Sequence, residues 1–299
     1  MEQEWLNDFK QYLSVERRYS PDTLKAYTDD LKIFCGFIAE NGGVSSFKNI
    51  TRFDVHVFMS YLYDCDYQAT SIARMLSSLR SFYHFLEKNG YADHNPFSYV
   101  QLKRHPRPLP HFFYEKEMNA LFEATQGDEP MLIRDNALLE ALYDTGMRVS
   151  ECTGLTVQAV DMEMKAMLLH GKGSKDRYVP FGGYCQRALQ RYFTVTRTPL
   201  MEKYHREHDA VFINHYGDPL TTAGVAYILR KIVSRSSLTT QIHPHELRHT
   251  FATHMMNNGA DLRAVQELLG HSSLSTTQIY THVTKEHLQR DYRKFFPRA

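Results

Sequence analysis

The feature that most constrains the fold is an interruption. Between Tyr91 and Pro110, Pro96, Pro106, Pro108 and Pro110 separate two long regions of helical periodicity. Proline removes a backbone donor and clashes with the preceding turn, so no regular helix runs through this stretch. The chain therefore reads as two packed units, residues 1–90 and 111–299, joined by a linker over 91–110. Its 299 residues are enough to give each unit a core. Within the linker, Lys103, Arg104 and Arg107 have no acidic residue among them. Such a strap suits two domains placed on opposite sides of a duplex, with the strap neutralising backbone phosphates; a solvated interdomain connection has the same composition.

The first unit reads as four helices. Leu6, Phe9, Tyr12 and Leu13 recur at helical spacing. Ser20-Pro21 then supplies an N-cap and first-turn pair ahead of Leu24, Tyr27, Leu31, Phe34 and Ile38. Thr51 with Asp54 has the spacing of a capping box before Val55, Phe58, Met59 and Leu62. The fourth helix carries Ile72, Met75, Leu76, Leu79, Phe82, Tyr83 and Leu86 and ends near Asn89-Gly90. An aromatic stripe of this period is core packing rather than a base-stacking platform. Lys25 on the second helix and Arg74 and Arg80 on the fourth are the candidates for contact with phosphates or base edges, against the alternative of surface charge.

The second unit is mainly helical with one extended stretch. Gly146 ends a helix, and Arg148 stands immediately before the next one. Ala166 to Leu169 and Tyr178-Val179 flank GKGSKDR, which predicts a β-hairpin with Lys172 near its tip. The G-x-x-x-x-G-K-[ST] spacing is absent, so this is not a nucleotide-binding P-loop. Helices are expected over 186–196 and 222–235, with a short Val211-Phe212-Ile213 strand between them. Pro244 opens a further helix with His245 and Arg248 one turn apart, and Gly270 closes the one that begins near Asp261. His271 follows in a loop, and Thr276 or Thr277 caps a segment carrying Tyr280.

Bulk charge gives little direction: 35 Lys+Arg against 34 Asp+Glu leave +1, so any nucleic-acid binding must come from local patches. Cys35, Cys65, Cys152 and Cys185 form no C-x-x-C pair, which suits a reducing cytosol and argues against a cysteine zinc site. No run reaches the length of a membrane span, and a soluble cytoplasmic protein is expected.

Breaking a phosphodiester requires cations on the non-bridging oxygens, an in-line nucleophile and a proton for the leaving alkoxide. Arg148 and Arg248 carry planar forks for phosphate oxygens, His245 can exchange a proton with a tyrosine hydroxyl, His271 can donate to a non-bridging oxygen, and Tyr280 can attack.

TGMRVSE around Arg148, GKGSKDR around Lys172, HPHELRHTFATH around His245 and Arg248, LGHSS around His271 and TTQIYTH around Tyr280 together resemble the catalytic set of the tyrosine recombinase/integrase family, in its order. SPDTLKAYTDDLKIF and RMLSSLRSFYHFL are similar to the core-binding domain of the Xer branch, so the likeness spans nearly the whole chain. The resemblance implies a mainly α fold with a small β-hairpin sheet. An N-terminal four-helix SAM-like core-binding domain would be followed by a C-terminal α+β catalytic domain. It implies that Tyr280 forms a 3′-phosphotyrosine and that Lys172 protonates the departing 5′ oxygen. The reaction would pass through a Holliday junction, without ATP, metal or other cofactor.

The implied partners are double-stranded DNA and a homo- or hetero-tetramer of recombinase subunits, including a paralogue, with a cell-division DNA translocase as a further partner and no membrane. The segment with Leu288, Tyr292, Phe295 and Phe296 would dock on a neighbouring subunit; folding back on its own domain is the alternative. The chain starts directly with core-binding helices, which favours chromosome-dimer resolution at cell division over mobile-element or phage integration. It departs from the family pattern at Glu246, where Xer relatives often carry lysine, and at Thr221-Thr222, where a basic residue is expected.

Two rivals come from other classes. His245 to His249 also satisfies H-E-x-x-H, the helix motif of zinc hydrolases, although Met255 stands where the extended motif needs histidine and Glu267 is a distant third ligand. A non-catalytic DNA-binding protein on the same fold would tolerate loss of Tyr280 or Lys172, and both are present.

Overall fold

The four helices of the first unit follow the apolar periodicity, and the second and third start at side-chain caps. In the computed structural model, residues 2–40, 46–100, 112–171, 175–239, 242–270 and 282–298 are described. Helix α1 spans Glu2–Gln11, α2 Pro21–Glu40, α3 Arg52–Asp64 and α4 Ala69–Lys88. The Thr51 and Asp54 side chains close a reciprocal capping box at the start of α3. Ser20 Oγ accepts the Thr23 amide at the start of α2.

The apolar faces meet in an aromatic core. Phe9, Phe34, Phe58 and Phe82 are fully buried, Phe34 lies edge-on to Phe58 at 5.0 Å, and Phe9 edge-on to Phe82 at 5.1 Å. Each such side chain contributes about 1.5–3 kcal/mol by leaving water. This is the packing role expected of the stripe.

This unit continues beyond residue 90. Phe97 is buried in the same core, Arg80 donates to the carbonyls of Phe97 and Val100, and Asn95 donates to the Arg80 carbonyl. The linker expected over 91–110 therefore begins too early, because Pro96 precedes an apolar anchor that folds back on α4. The chain forms two compact units, residues 1–107 and 108–299. Lys103, Arg104 and the later linker prolines lie outside the described residues.

The second unit begins with α5, Glu115–Glu123, and α6, Pro130–Thr145, followed by the short α7, Val149–Thr153. Strands β1 (Val160–Asp161), β2 (Ala166–Gly171) and β3 (Lys175–Pro180) form an antiparallel sheet in that order. The β2–β3 register pairs Gly171 with Lys175 and His170 with Asp176, so the predicted hairpin is present; its tip, with Lys172, lies outside the described residues. Helices α8 (Gly183–Tyr192), α9 (Thr198–Lys203), α10 (Thr222–Arg235), α11 (Pro244–Asn257), α12 (Leu262–Leu269) and α13 (His282–Phe295) complete it.

One expectation is corrected here. Val211-Phe212-Ile213 is buried but is not a strand: only isolated bridges, Thr156 with Ala210 and Ile213 with Pro219, flank it. Val211 donates to Leu155 and Phe212 accepts from Leu220, and on each side the pairing stops at a single isolated bridge, so no ladder extends. Within this chain the described aromatic residues of the C-terminal segment pack into their own domain's core, the alternative the sequence left open. Tyr292 and Phe296 are buried, stacked at 5.2 Å, and Phe295 packs against the same cluster. Tyr292 Oη donates to Asp144 Oδ1 at 2.6 Å, which fixes this helix to α6.

Candidate active site

Two helix ends and one helix start assemble the site. Gly146 ends α6 with φ 58° and Gly270 ends α12 with φ 64°, left-handed positions that favour glycine. A Cβ on Gly146 would lie 2.7 Å from Phe251 Cδ1, and one on Gly270 3.0 Å from Arg177 Cδ. A larger residue would press on the core at Gly146 and on Arg177 at Gly270.

Arg148 is the N-cap of α7, and Glu151 three residues on turns back to accept its amide at 2.7 Å. The Glu151 carboxylate is shared further. Its Oε1 accepts Arg148 Nη1 and Arg177 Nη1, both at 2.8 Å, and its Oε2 accepts Arg177 Nη2 at 2.9 Å. Burial would raise this acid's pKa, but the hydrogen bonds and charge of Arg177, with those from Arg148, pull it down to about 2. It stays ionised.

Arg248, buried on α11, donates from Nη1 to Gly146 O at 2.8 Å and from Nη2 to Leu269 O at 2.5 Å. Desolvation first, then the charges of Arg148 and Arg177, lower its pKa to about 10, which still leaves it cationic at neutral pH. Arg148 Nη2 reaches Gly270 O at 3.4 Å. Arg148 and Arg248 therefore converge on the last residues of α12, directly before His271. Two guanidiniums, those of Arg148 and Arg177, bind one carboxylate, that of Arg248 binds the neighbouring carbonyls of Gly146 and Leu269, and Arg148 keeps 32% of its side chain exposed. The arrangement holds excess positive charge in fixed positions, which suits it to an anion.

His245 lies on the first turn of α11 and is exposed, whereas Arg248 one turn later is buried. Glu246 Oε2 accepts the His243 amide at 2.8 Å, so this carboxylate caps the helix, the physical reason the non-basic residue is accommodated there. In a zinc hydrolase the same glutamate would act as general base. Thr221, also outside the family pattern, is the N-cap of α10 and accepts from Gly224 N.

Residues 111–287 match the phage integrase family, and residues 6–90 match the phage integrase N-terminal SAM-like domain. The chain belongs to the phage integrase family. It is 56% identical to the tyrosine recombinase XerC of Pediococcus pentosaceus over 297 residues, 99% of each chain. It is 51% identical to that of Lacticaseibacillus casei over 97% of each. Among solved structures, the XerH recombinase bound to difH substrate aligns with a TM-score of 0.65 and 24% identity, covering 89% of this chain and 77% of that one. A lambda integrase dimer bound to a COC′ core site aligns with a TM-score of 0.67 and 16% identity, covering 93% and 99%. The two structures agree on the fold. Together with the XerC relatives, the family makes this chain a site-specific tyrosine recombinase, an enzyme that breaks and rejoins DNA.

Of the residues singled out in the sequence, the fold brings Arg148 and Arg248 together and places His245 on the helix that carries Arg248. Lys172, His271 and Tyr280 lie outside the described residues. Lys25 is exposed on α2. The two arginines offered for DNA contact are engaged inside the first unit. Arg74 Nη1 donates to both Asp30 oxygens at 2.6 Å, and Arg80 braces residues 97–100. Their buried partners are distant in sequence, which is why spacing on α4 made them look available.

Glu151 and Arg177 are the components that motif reading passed over. For Arg177 a signal existed: along β3 it shares the inward face with buried Val179, and a charge in an apolar register position requires a buried partner.

Proposed function

We propose that this recombinase cuts and rejoins DNA through a 3′-phosphotyrosine on Tyr280. Arg148, Arg248 and His271 hold the non-bridging oxygens of the scissile phosphate, His245 takes the phenolic proton, and Lys172 protonates the departing 5′ oxygen. The Tyr280 Oη–phosphorus bond forms as the phosphorus–5′ oxygen bond breaks. A 5′ hydroxyl from the partner duplex then reverses each transfer, so the phosphodiester is remade without nucleotide hydrolysis. The observation that carries this reading is the cluster of guanidiniums anchored by one carboxylate. Such preorganised cations stabilise charge developing on phosphate oxygens with little reorganisation at the moment of reaction.

The substrate in this reading is double-stranded DNA, exchanged within a tetramer that includes identical or paralogous subunits and passes through a Holliday junction. The XerC relatives support chromosome-dimer resolution at cell division as the cellular task, with a DNA translocase as a further partner. Four free cysteines, and no helix among the described residues long and apolar enough to cross a membrane, suit a cytoplasmic setting.

A nicked suicide duplex carrying the chromosomal site tests the mechanism. Wild-type protein is expected to accumulate a covalent protein–DNA adduct and Tyr280→Phe none; equal trapping by both removes Tyr280 as nucleophile. Trapping only on the ends of a mobile element would replace dimer resolution with integration.

A further inference from the structure

We infer that Arg177 is a positioning residue of the recombination reaction, setting Arg148 through Glu151 and the end of α12 through the Leu268 carbonyl. The inference rests on the reading of Arg148 and Arg248 as phosphate ligands.

Arg177 projects from β3 and is 6% exposed, and its fork makes three directed bonds: Nη1 and Nη2 to the two Glu151 oxygens, and Nε to Leu268 O at 2.8 Å. The first pair determines what Glu151 can do to Arg148. With both carboxylate oxygens held by Arg177, Glu151 takes the Arg148 amide and Nη1, while Arg148 Nη2 is directed to Gly270 O. Without Arg177, a buried carboxylate would face Arg148 as its principal counter-ion. It would draw that fork from the phosphate and set an uncompensated negative charge beside it.

The bond to Leu268 acts on the other side. Leu268, Leu269 and Gly270 offer consecutive carbonyls to Arg177, Arg248 and Arg148. One side chain on the hairpin thus ties α7 to the turn from which His271 departs. Arg177 needs no contact with DNA for this, and a lysine cannot replace it: one ammonium does not span both carboxylate oxygens and a carbonyl at once.

The test is single-turnover cleavage of a suicide duplex at saturating protein, with site affinity and melting temperature measured on the same preparations. Arg177→Lys is expected to cleave about 10–100-fold more slowly while site affinity changes less than about threefold, because an interaction felt in the transition state is weakened. Arg134→Lys, which disturbs the buried Arg134–Asp135 pair on α6, is the structural control. It is expected to lower the melting temperature and leave the cleavage step unchanged.

Combining Arg177→Lys with Arg148→Lys should slow cleavage by less than the product of the single effects, since both act on the same phosphate contact. Multiplicative effects, or a cleavage loss in Arg134→Lys equal to that in Arg177→Lys, would overturn the inference. Normal cleavage by Arg148→Lys removes the phosphate-holding reading itself, whereas slow Arg148→Lys with normal Arg177→Lys removes only the role given to Arg177. If Arg177→Lys is unfolded by its melting curve, Arg177→Gln is measured with the same expectations. Failure of both to fold makes Arg177 a folding determinant and refutes the positioning role.

Discussion

Asp30 in the first unit and Glu151 in the second are both buried carboxylates facing arginine, yet they are built to different ends. Asp30 has Arg74, whose side chain is 46% exposed, and the Ser78 hydroxyl at 2.6 Å. That pair is one acid with one base, a cross-brace between α2 and α4. Glu151 is shared by Arg148 and Arg177, with Arg248 close enough for its pKa to feel both of their charges. The surplus of cations is what separates a structural ion pair from an anion site. A balanced pair has satisfied its own field; an unbalanced, anchored cluster projects its field outward.

The largest expected effect separates these two carboxylates. Glu151→Leu leaves buried guanidiniums without their counter-ion and should cost about 3–5 kcal/mol of stability. Asp30→Leu should cost less, about 1–3 kcal/mol, because Arg74 can turn to water. Denaturant melts give both numbers, and the comparison fails if Asp30→Leu also slows the cleavage step of the folded protein. Arg148→Lys should bind its site nearly normally and cleave about 100–1000-fold more slowly, the loss expected for one transition-state donor. Suicide-duplex kinetics read this directly, and an affinity loss of the same size would place Arg148 in ground-state binding instead.

Gly270→Ala should destabilise by about 1–2 kcal/mol through its left-handed backbone. It should also slow cleavage, because the added methyl presses on Arg177. A stability loss without a kinetic one would show that the α12 turn is not coupled to the site.

A pH dependence tests the two carboxylates of the second unit. Glu151, lowered from 4.5 to about 2 in the fold, contributes stability that is present above pH 4.5 and lost as pH falls towards 2. Asp144 has the opposite sign. Burial raises it from 3.8 to about 7 against the Tyr292 and Gly182 hydrogen bonds, so its cost to stability grows as pH rises from about 4 to 7. Urea titrations of wild type and Asp144→Asn across pH 4–7 should therefore diverge, with wild type losing stability relative to the variant as pH rises. Parallel curves would refute the assignment.

Local signals were legible where a short stretch determines its own geometry. The Thr51–Asp54 box, Pro244 at the start of α11, and the left-handed Gly146 and Gly270 all stand where spacing placed them. What the sequence did not disclose are partners far along the chain. Arg74 looked open until Asp30, 44 residues earlier, was in place, and Pro96 looked like linker until Phe97 entered the core.

By itself, the sequence determined the two helical units, the hairpin and the family, because periodicity, caps and ordered motifs are carried by neighbouring residues. Only the tertiary structure decided which arginines are braces and which face an anion. Guanidinium roles depend on the buried partner, and Arg148, Glu151, Arg177 and the carbonyls of 268–270 meet across as many as 122 positions of chain.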